Sequence, residues 1–129
     1  MKNIDIDFYD EFDGEVEIIF SIITNNYTKR LRIWSGYFDT IMMKIEPLKD
    51  DGWTSLSYYY HLMIGWDIED NWQIPNLEEA LLQLQSIEIE PNYSDKYIYY
   101  NAEFRILAEI ISILSEAIHE KVSVYIHRH

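Results

Sequence analysis

Two stretches near the N-terminus alternate apolar and polar positions. Ile4, Ile6 and Phe8 alternate with Asp5, Asp7 and Tyr9, and Val16, Ile18, Phe20 and Ile22 alternate with Glu17, Ile19, Ser21 and Ile23. A period of two is the pattern of a strand with one buried face, and Asp13-Gly14 between the runs is a strong turn pair. The pattern predicts an antiparallel hairpin over Ile4–Thr24. Asn25-Asn26 marks a second turn, and Thr28–Trp34 reads as a third strand or as the approach to a helix. At the other end, Val122, Val124 and Ile126 alternate with Ser123, Tyr125 and His127, so the chain is expected to close on a strand that joins the N-terminal sheet.

Between these ends the period changes. Tyr37, Phe38, Ile41, Met42 and Ile45 recur every three or four residues, which predicts a helix from Ser35 to Leu48 that stops at Pro47. Trp53, Leu56, Tyr60 and Met63 fit a further helix face over Trp53–Trp66, although the segment is also rich in strand-forming aromatics. Asn76 after Pro75, with Glu79 three residues on, resembles a capping box opening a helix with Leu77, Ala80, Leu81, Leu84 and Ile87 inward. Glu78 and Glu79 complement the dipole of its first turn. A longer helix is predicted from about Asn101 to Glu120. It carries one apolar stripe through Phe104, Leu107, Ala108, Ile111, Leu114 and Ile118 and another through Ile106, Ile110, Ile113 and Ala117. A helix apolar over that much of its circumference packs on more than one side. The expected fold class is α+β: an N-terminal antiparallel hairpin joined by a C-terminal strand and packed against several helices, the long one near 101–120 among them. With no repeat and no Pro/Gly/Ser-rich linker, residues 1–129 read as a single domain.

Charge then narrows the function. The net charge is −13, from 23 acids against 10 bases, and a field of that sign repels nucleic-acid phosphates and anionic lipid. A basic protein is the partner it attracts, although many proteins are acidic only for solubility. The apolar runs fall far short of the roughly 20 residues needed to span a bilayer. Met1–Asp7 lacks the basic and apolar regions of a signal peptide, and the chain has no cysteine. These features set the expectation of a cytoplasmic location, without disulfides or thiolate metal sites.

Candidate chemistry is sparse. Of the four histidines, His61, His119, His127 and His129, none stands at HExxH or zinc-finger spacing. His127 and His129 would share one side of the last strand, but no third ligand is implied by spacing. His119 near the end of the long helix suits a cation at the dipole's negative pole. Carboxylates gather in turns, at Asp10, Glu11 and Asp13, at Asp50 and Asp51, and at Asp67, Glu69 and Asp70, where solvation is their ordinary state. No phosphate-cradling glycine loop or nucleophile elbow is present. No catalytic residue, metal site or cofactor is expected. The exception is Trp53–Trp72, which holds three of the four tryptophans and Tyr58, Tyr59 and Tyr60 among acids. Rings that anchor and carboxylates that pair with Arg or Lys at a rim make a protein-binding hot spot. Trp66, Asp67, Glu69, Asp70 and Trp72 are therefore the candidate partner-binding residues, against the alternative that each ring fills the core.

In this segment, GWDIEDNWQIPNLEEALLQLQSI, and in the combination of a small acidic chain with a closing helix and strand, the sequence resembles immunity proteins of bacterial polymorphic toxin and contact-dependent growth inhibition systems. The resemblance is one of style over most of the chain and transfers no individual residue. It implies one cognate toxin domain, often a basic nuclease, bound and neutralised in the cytoplasm of the producing cell. Two other classes compete: a ligand-binding module or enzyme with an aromatic-lined, carboxylate-bearing pocket, and a subunit of an obligate oligomer.

Overall fold

The computed structural model describes residues 2–45, 56, 60, 71–87 and 98–129. They form a mixed five-stranded sheet and three helices. The strands are β1 (Lys2–Phe8), β2 (Glu17–Ile23), β3 (Tyr27–Trp34), β4 (Trp72–Gln73) and β5 (Tyr125–Arg128), and the helices are α1 (Ser35–Met42), α2 (Leu77–Gln85) and α3 (Ile98–Glu120). The order across the sheet is β1-β3-β2-β5-β4. The expected α+β class is what the chain adopts.

One pairing departs from the sequence reading. β1 and β2 are both strands, and Gly14 does turn the chain with φ +93°, but the two do not form a hairpin. β3 lies between them, parallel to β1 and antiparallel to β2. The N-terminal hairpin is β2–β3 instead. Its turn is held by Thr24, whose Oγ1 accepts hydrogen bonds from the Asn26 N–H at 3.2 Å and the Tyr27 N–H at 3.1 Å. Alternation specifies which face of a strand is buried but not its neighbour. Cross-strand charge distinguishes the two arrangements: Asp5 and Asp7 stand opposite Arg30 and Arg32, whereas beside β2 they would meet Glu17 and no base. β5 joins the other side of β2, as expected, with Phe20 opposite Ile126. It begins at Tyr125 rather than Val122, whose N–H is taken at 3.0 Å by the Ala117 carbonyl at the end of the long helix.

The helices lie against the face that carries Ile18, Phe20 and Ile22 of β2 and Leu31 and Ile33 of β3, all buried. α1 ends at Met42, well before Pro47. Its last turn tightens through hydrogen bonds from Lys44 N–H to the Ile41 carbonyl and from Ile45 N–H to the Met42 carbonyl. Tyr37, Phe38, Ile41 and Met42 face inward as their spacing predicted. Gly36 in its first turn is fixed by contact: a Cβ there would fall 2.4 Å from the Trp34 ring. α2 is capped as expected, with the Asn76 side chain accepting from the Glu79 N–H at 3.0 Å. α3 starts three residues earlier than predicted. It ends in a Schellman turn, with Lys121 at φ +59° and the Val122 N–H bonded to the Ala117 carbonyl at 3.0 Å. α3 packs on β2, β3, α1 and α2. Its buried stripe is Ile106, Ile110, Ile113 and Ala117 with Leu107 and Leu114, while Phe104 and Ala108 of the other predicted stripe are exposed. The predicted helix over Trp53–Trp66 falls outside the described residues, apart from Leu56, buried in the core, and Tyr60.

Candidate functional site

Of the sequence-predicted partner-binding residues, Trp72 alone lies among the described residues. Trp66, Asp67, Glu69 and Asp70 lie outside the described residues. Trp72 lies in β4 at the edge of the sheet, opposite Ile126, and is only 7 % exposed within the hydrophobic core. Its ring is a packing element of the fold. Its neighbour Gln73 points the other way and donates from Nε2 to the Ser123 hydroxyl at 2.9 Å.

The described acidic surface is instead the connection from β1 to β2, residues 9–16. A 3₁₀ turn, Asp10–Phe12, opens it, and Asp10, Glu11, Asp13 and Glu15 are all exposed. The connection is firmly tethered. The Asp7 carboxylate accepts from the Tyr9 N–H at 2.7 Å and the Asp10 N–H at 3.0 Å. The buried Tyr9 hydroxyl donates to the Glu15 carbonyl. Phe12 stacks on Trp34 at a centroid distance of 4.1 Å, and Tyr37 meets both rings edge-on. Four carboxylates are thereby presented from a fixed backbone, and none of the four forms an ion pair among the described residues.

Beside this loop the open face of the sheet carries a ladder of charge. Arg30 forks onto Asp5 through Nε and Nη2 at 3.0 and 2.9 Å. Arg32 donates from Nε to Glu17 at 2.5 Å and from Nη1 to Asp7 at 3.4 Å, with its guanidinium 5.7 Å from the centre of the Tyr9 ring. On the helix side, Glu116 of α3 takes Lys29 Nζ at 2.8 Å and the Tyr27 hydroxyl. All three bases of β3 are thus neutralised within the chain. This ladder went unread in the sequence, although Arg30-Leu31-Arg32 matched against Asp5-Ile6-Asp7 contains it. His127 and His129 do lie near each other on the open face, ring centroids 5.8 Å apart, and among the described residues no group of three His, Asp or Glu side chains is arranged to hold a metal ion. No described helix is long and apolar enough to cross a membrane.

Two carboxylates of this network, Asp5 and Glu116, titrate below their ordinary range. The Arg30 fork holds Asp5 low. At Glu116, burial raises the pKa but is outweighed by the hydrogen bonds from Lys29 and Tyr27, so the net direction is down. The same bond pushes the Tyr27 hydroxyl up to about 12. Glu103 of α3 goes the other way, raised by burial against the opposing charge of Lys44. For a carboxylate with a depressed pKa in the folded state, the stabilisation is in place above its unfolded value and lost as pH falls through the folded one. Asp5 and Glu116, with ordinary values of 3.8 and 4.5, therefore contribute at neutral pH and lose that contribution progressively as pH falls below about 4. Glu103 has the opposite sign and favours the folded state at acid pH. Urea midpoints measured at pH 7 and pH 3 are expected to show a smaller acid loss in Glu116→Gln than in the wild type. In Glu103→Gln the acid loss is expected to be larger, since that variant gains at pH 7.

The fold and this surface define a class: a small α+β domain whose open sheet face pairs both its arginines with carboxylates of the same chain and whose β1–β2 connection presents unpaired acid. No protein family matches the chain, and comparison with curated proteins and with solved structures finds no similar protein.

Proposed function

We propose that this protein is an immunity-type inhibitor that binds and neutralises one basic toxin domain in the cytoplasm of the cell that makes both, without catalysis or cofactor. The observation that supports the reading most is the distribution of charge. The three bases of β3 are spent on internal partners, while Asp10, Glu11, Asp13 and Glu15 are displayed on a tethered loop, in a chain of net charge −13. A basic groove is drawn to such a surface, and carboxylates held in place lose less freedom on forming charge-assisted bonds. Trp66, Asp67, Glu69 and Asp70, which lie outside the described residues, are the second candidate set of this proposal.

The test begins with the product of the adjacent reading frame. Its C-terminal domain should be basic, toxic when expressed alone, and tolerated when this chain is co-expressed. Two triple variants then separate the surfaces: Asp10→Asn with Glu11→Gln and Asp13→Asn, and Asp67→Asn with Glu69→Gln and Asp70→Asn. The triple that lies in the interface is expected to slow association by about tenfold at low salt and to flatten its salt dependence. Unchanged kinetics in both triples, or an adjacent product that is harmless and does not bind, would overturn the reading.

A further inference from the structure

The two edges of the sheet differ. β4 is two residues long and followed by Pro75, a short edge of the kind that discourages further pairing. β1 is seven residues long, flanked by β3 on one side, and no described strand lies on the other. Its backbone parity follows from one bond: Lys2 stands opposite Tyr27 and donates its N–H to the Asn26 carbonyl at 3.3 Å. In a parallel ladder this turns the N–H and C=O groups of Lys2, Ile4, Ile6 and Phe8 toward β3, and those of Asn3, Asp5 and Asp7 outward. The outward groups form a row of donors and acceptors that no described strand pairs. Ile4, Ile6 and Phe8 are only partly buried on the helix side of this edge, and Arg105 of α3 lies over the Phe8 ring at 5.3 Å.

We propose that the outer edge of β1 is a docking site for one extended segment of a basic protein partner, which adds to the sheet as a sixth strand. The inference rests on the basic-partner reading above and names where and how such a partner engages. Sidedness fixes the chemistry of the segment. Residues opposite Asn3, Asp5 and Asp7 project onto the open face, where three carboxylates, Asp5, Asp7 and Glu17, share the two guanidiniums of Arg30 and Arg32 and leave an excess of acid that suits Arg or Lys. Those opposite Ile4, Ile6 and Phe8 project onto the helix side and call for apolar side chains. β3 has this same alternation on the inner side, placing Arg30, Leu31, Arg32 and Ile33 opposite Asp5, Ile6, Asp7 and Phe8. A second copy of this chain is a poor occupant, because an antiparallel β1–β1 pair centred on Asp5 sets that carboxylate against its own copy and brings together two chains each of charge −13. A segment running past Phe8 would next meet the acids of the 9–16 connection.

The probe is an eight-residue capped peptide alternating Arg and Val, compared with a capped isomer of the same composition whose Arg residues are contiguous. Both are titrated at low salt into the full ¹⁵N-labelled chain. The alternating peptide is expected to bind about tenfold or more tightly than its isomer and to slow hydrogen exchange at the Asn3, Asp5 and Asp7 amides. Asn3→Pro removes one outward donor without touching the β3 ladder and is expected to abolish that protection. Should Asn3→Pro fail to fold, Asn3→Arg keeps the backbone and is expected to weaken the alternating peptide through like charge. Equal binding of the two peptides with no protection along β1 would overturn the edge site and leave the basic-partner reading standing. Absence of binding by either peptide would overturn the edge site too, and the toxin-domain experiment would then decide that reading separately. Self-association that Asn3→Pro reverses would assign the edge to a second copy and overturn the proposal.

Discussion

Trp72→Ala is expected to lower the folding free energy by about 3–5 kcal/mol, the usual cost of removing a large buried ring. The indole is 7 % exposed and belongs to the same apolar cluster as Ile74, Val124 and Ile126. It is also one of the two residues of β4, so its loss removes much of what holds that edge against β5. A domain of this size is commonly stable by only about 5–15 kcal/mol, so the variant should show a large drop in urea midpoint, with Trp72→Phe retaining much of the difference. Under conditions where both proteins remain folded, its association and dissociation rates with a partner should match those of the wild type. An unchanged midpoint combined with faster dissociation would show instead that the ring is an anchor in the interface.

That expectation reverses what local sequence density implies for Trp72, and the reason is physical. Aromatic and acidic residues crowded into one segment look alike whether the rings face a partner or fill a core, because burial depends on neighbours supplied by remote parts of the chain. For Trp72 the neighbour is Ile126, more than fifty positions away. What the sequence did reveal is decided locally. Asn76 and Glu79 announced the α2 cap, the alternation at Ile18–Ile22 and at Val124–Ile126 announced the buried strand faces, and the breadth of the apolar surface on α3 announced a helix packed on more than one side. What it concealed is pairing. The turn at Asp13-Gly14 is real, yet the strands it links are held apart by β3, since a turn fixes the reversal of the chain and not which strand lies alongside. The acids at Asp10–Asp13 were legible as a turn, but their tether through Phe12 and Trp34 joins positions whose contact no local pattern encodes.

Arg32→Ala should be far more damaging than Arg30→Ala, although both remove an arginine from the same face of the same strand. Glu17 is 5 % exposed, and its carboxylate takes the Arg32 Nε at 2.5 Å; truncating Arg32 leaves that carboxylate buried and uncompensated. Breaking a fully buried pair costs roughly 3–5 kcal/mol. The Arg32 side chain retains 30 % exposure, so solvent screening brings the expected loss to about 2–3 kcal/mol. The Arg32 guanidinium also lies over the ring of Tyr9, whose hydroxyl ties the 9–16 connection at Glu15, so the acidic loop should loosen as well, with faster hydrogen exchange at its amides. Arg30, by contrast, pairs with Asp5 where both side chains are more than two-fifths exposed, and removing it should cost under about 1 kcal/mol. Arg32→Lys should recover only part of the loss, because an ammonium cannot serve Glu17 and Asp7 with the planar fork that spans them. The double variant Glu17→Gln with Arg32→Met should recover more, since no unpaired buried charge remains. Urea midpoints for the four variants give the ordering directly, and equal losses in Arg32→Ala and Arg30→Ala would show that the buried glutamate does not depend on its arginine.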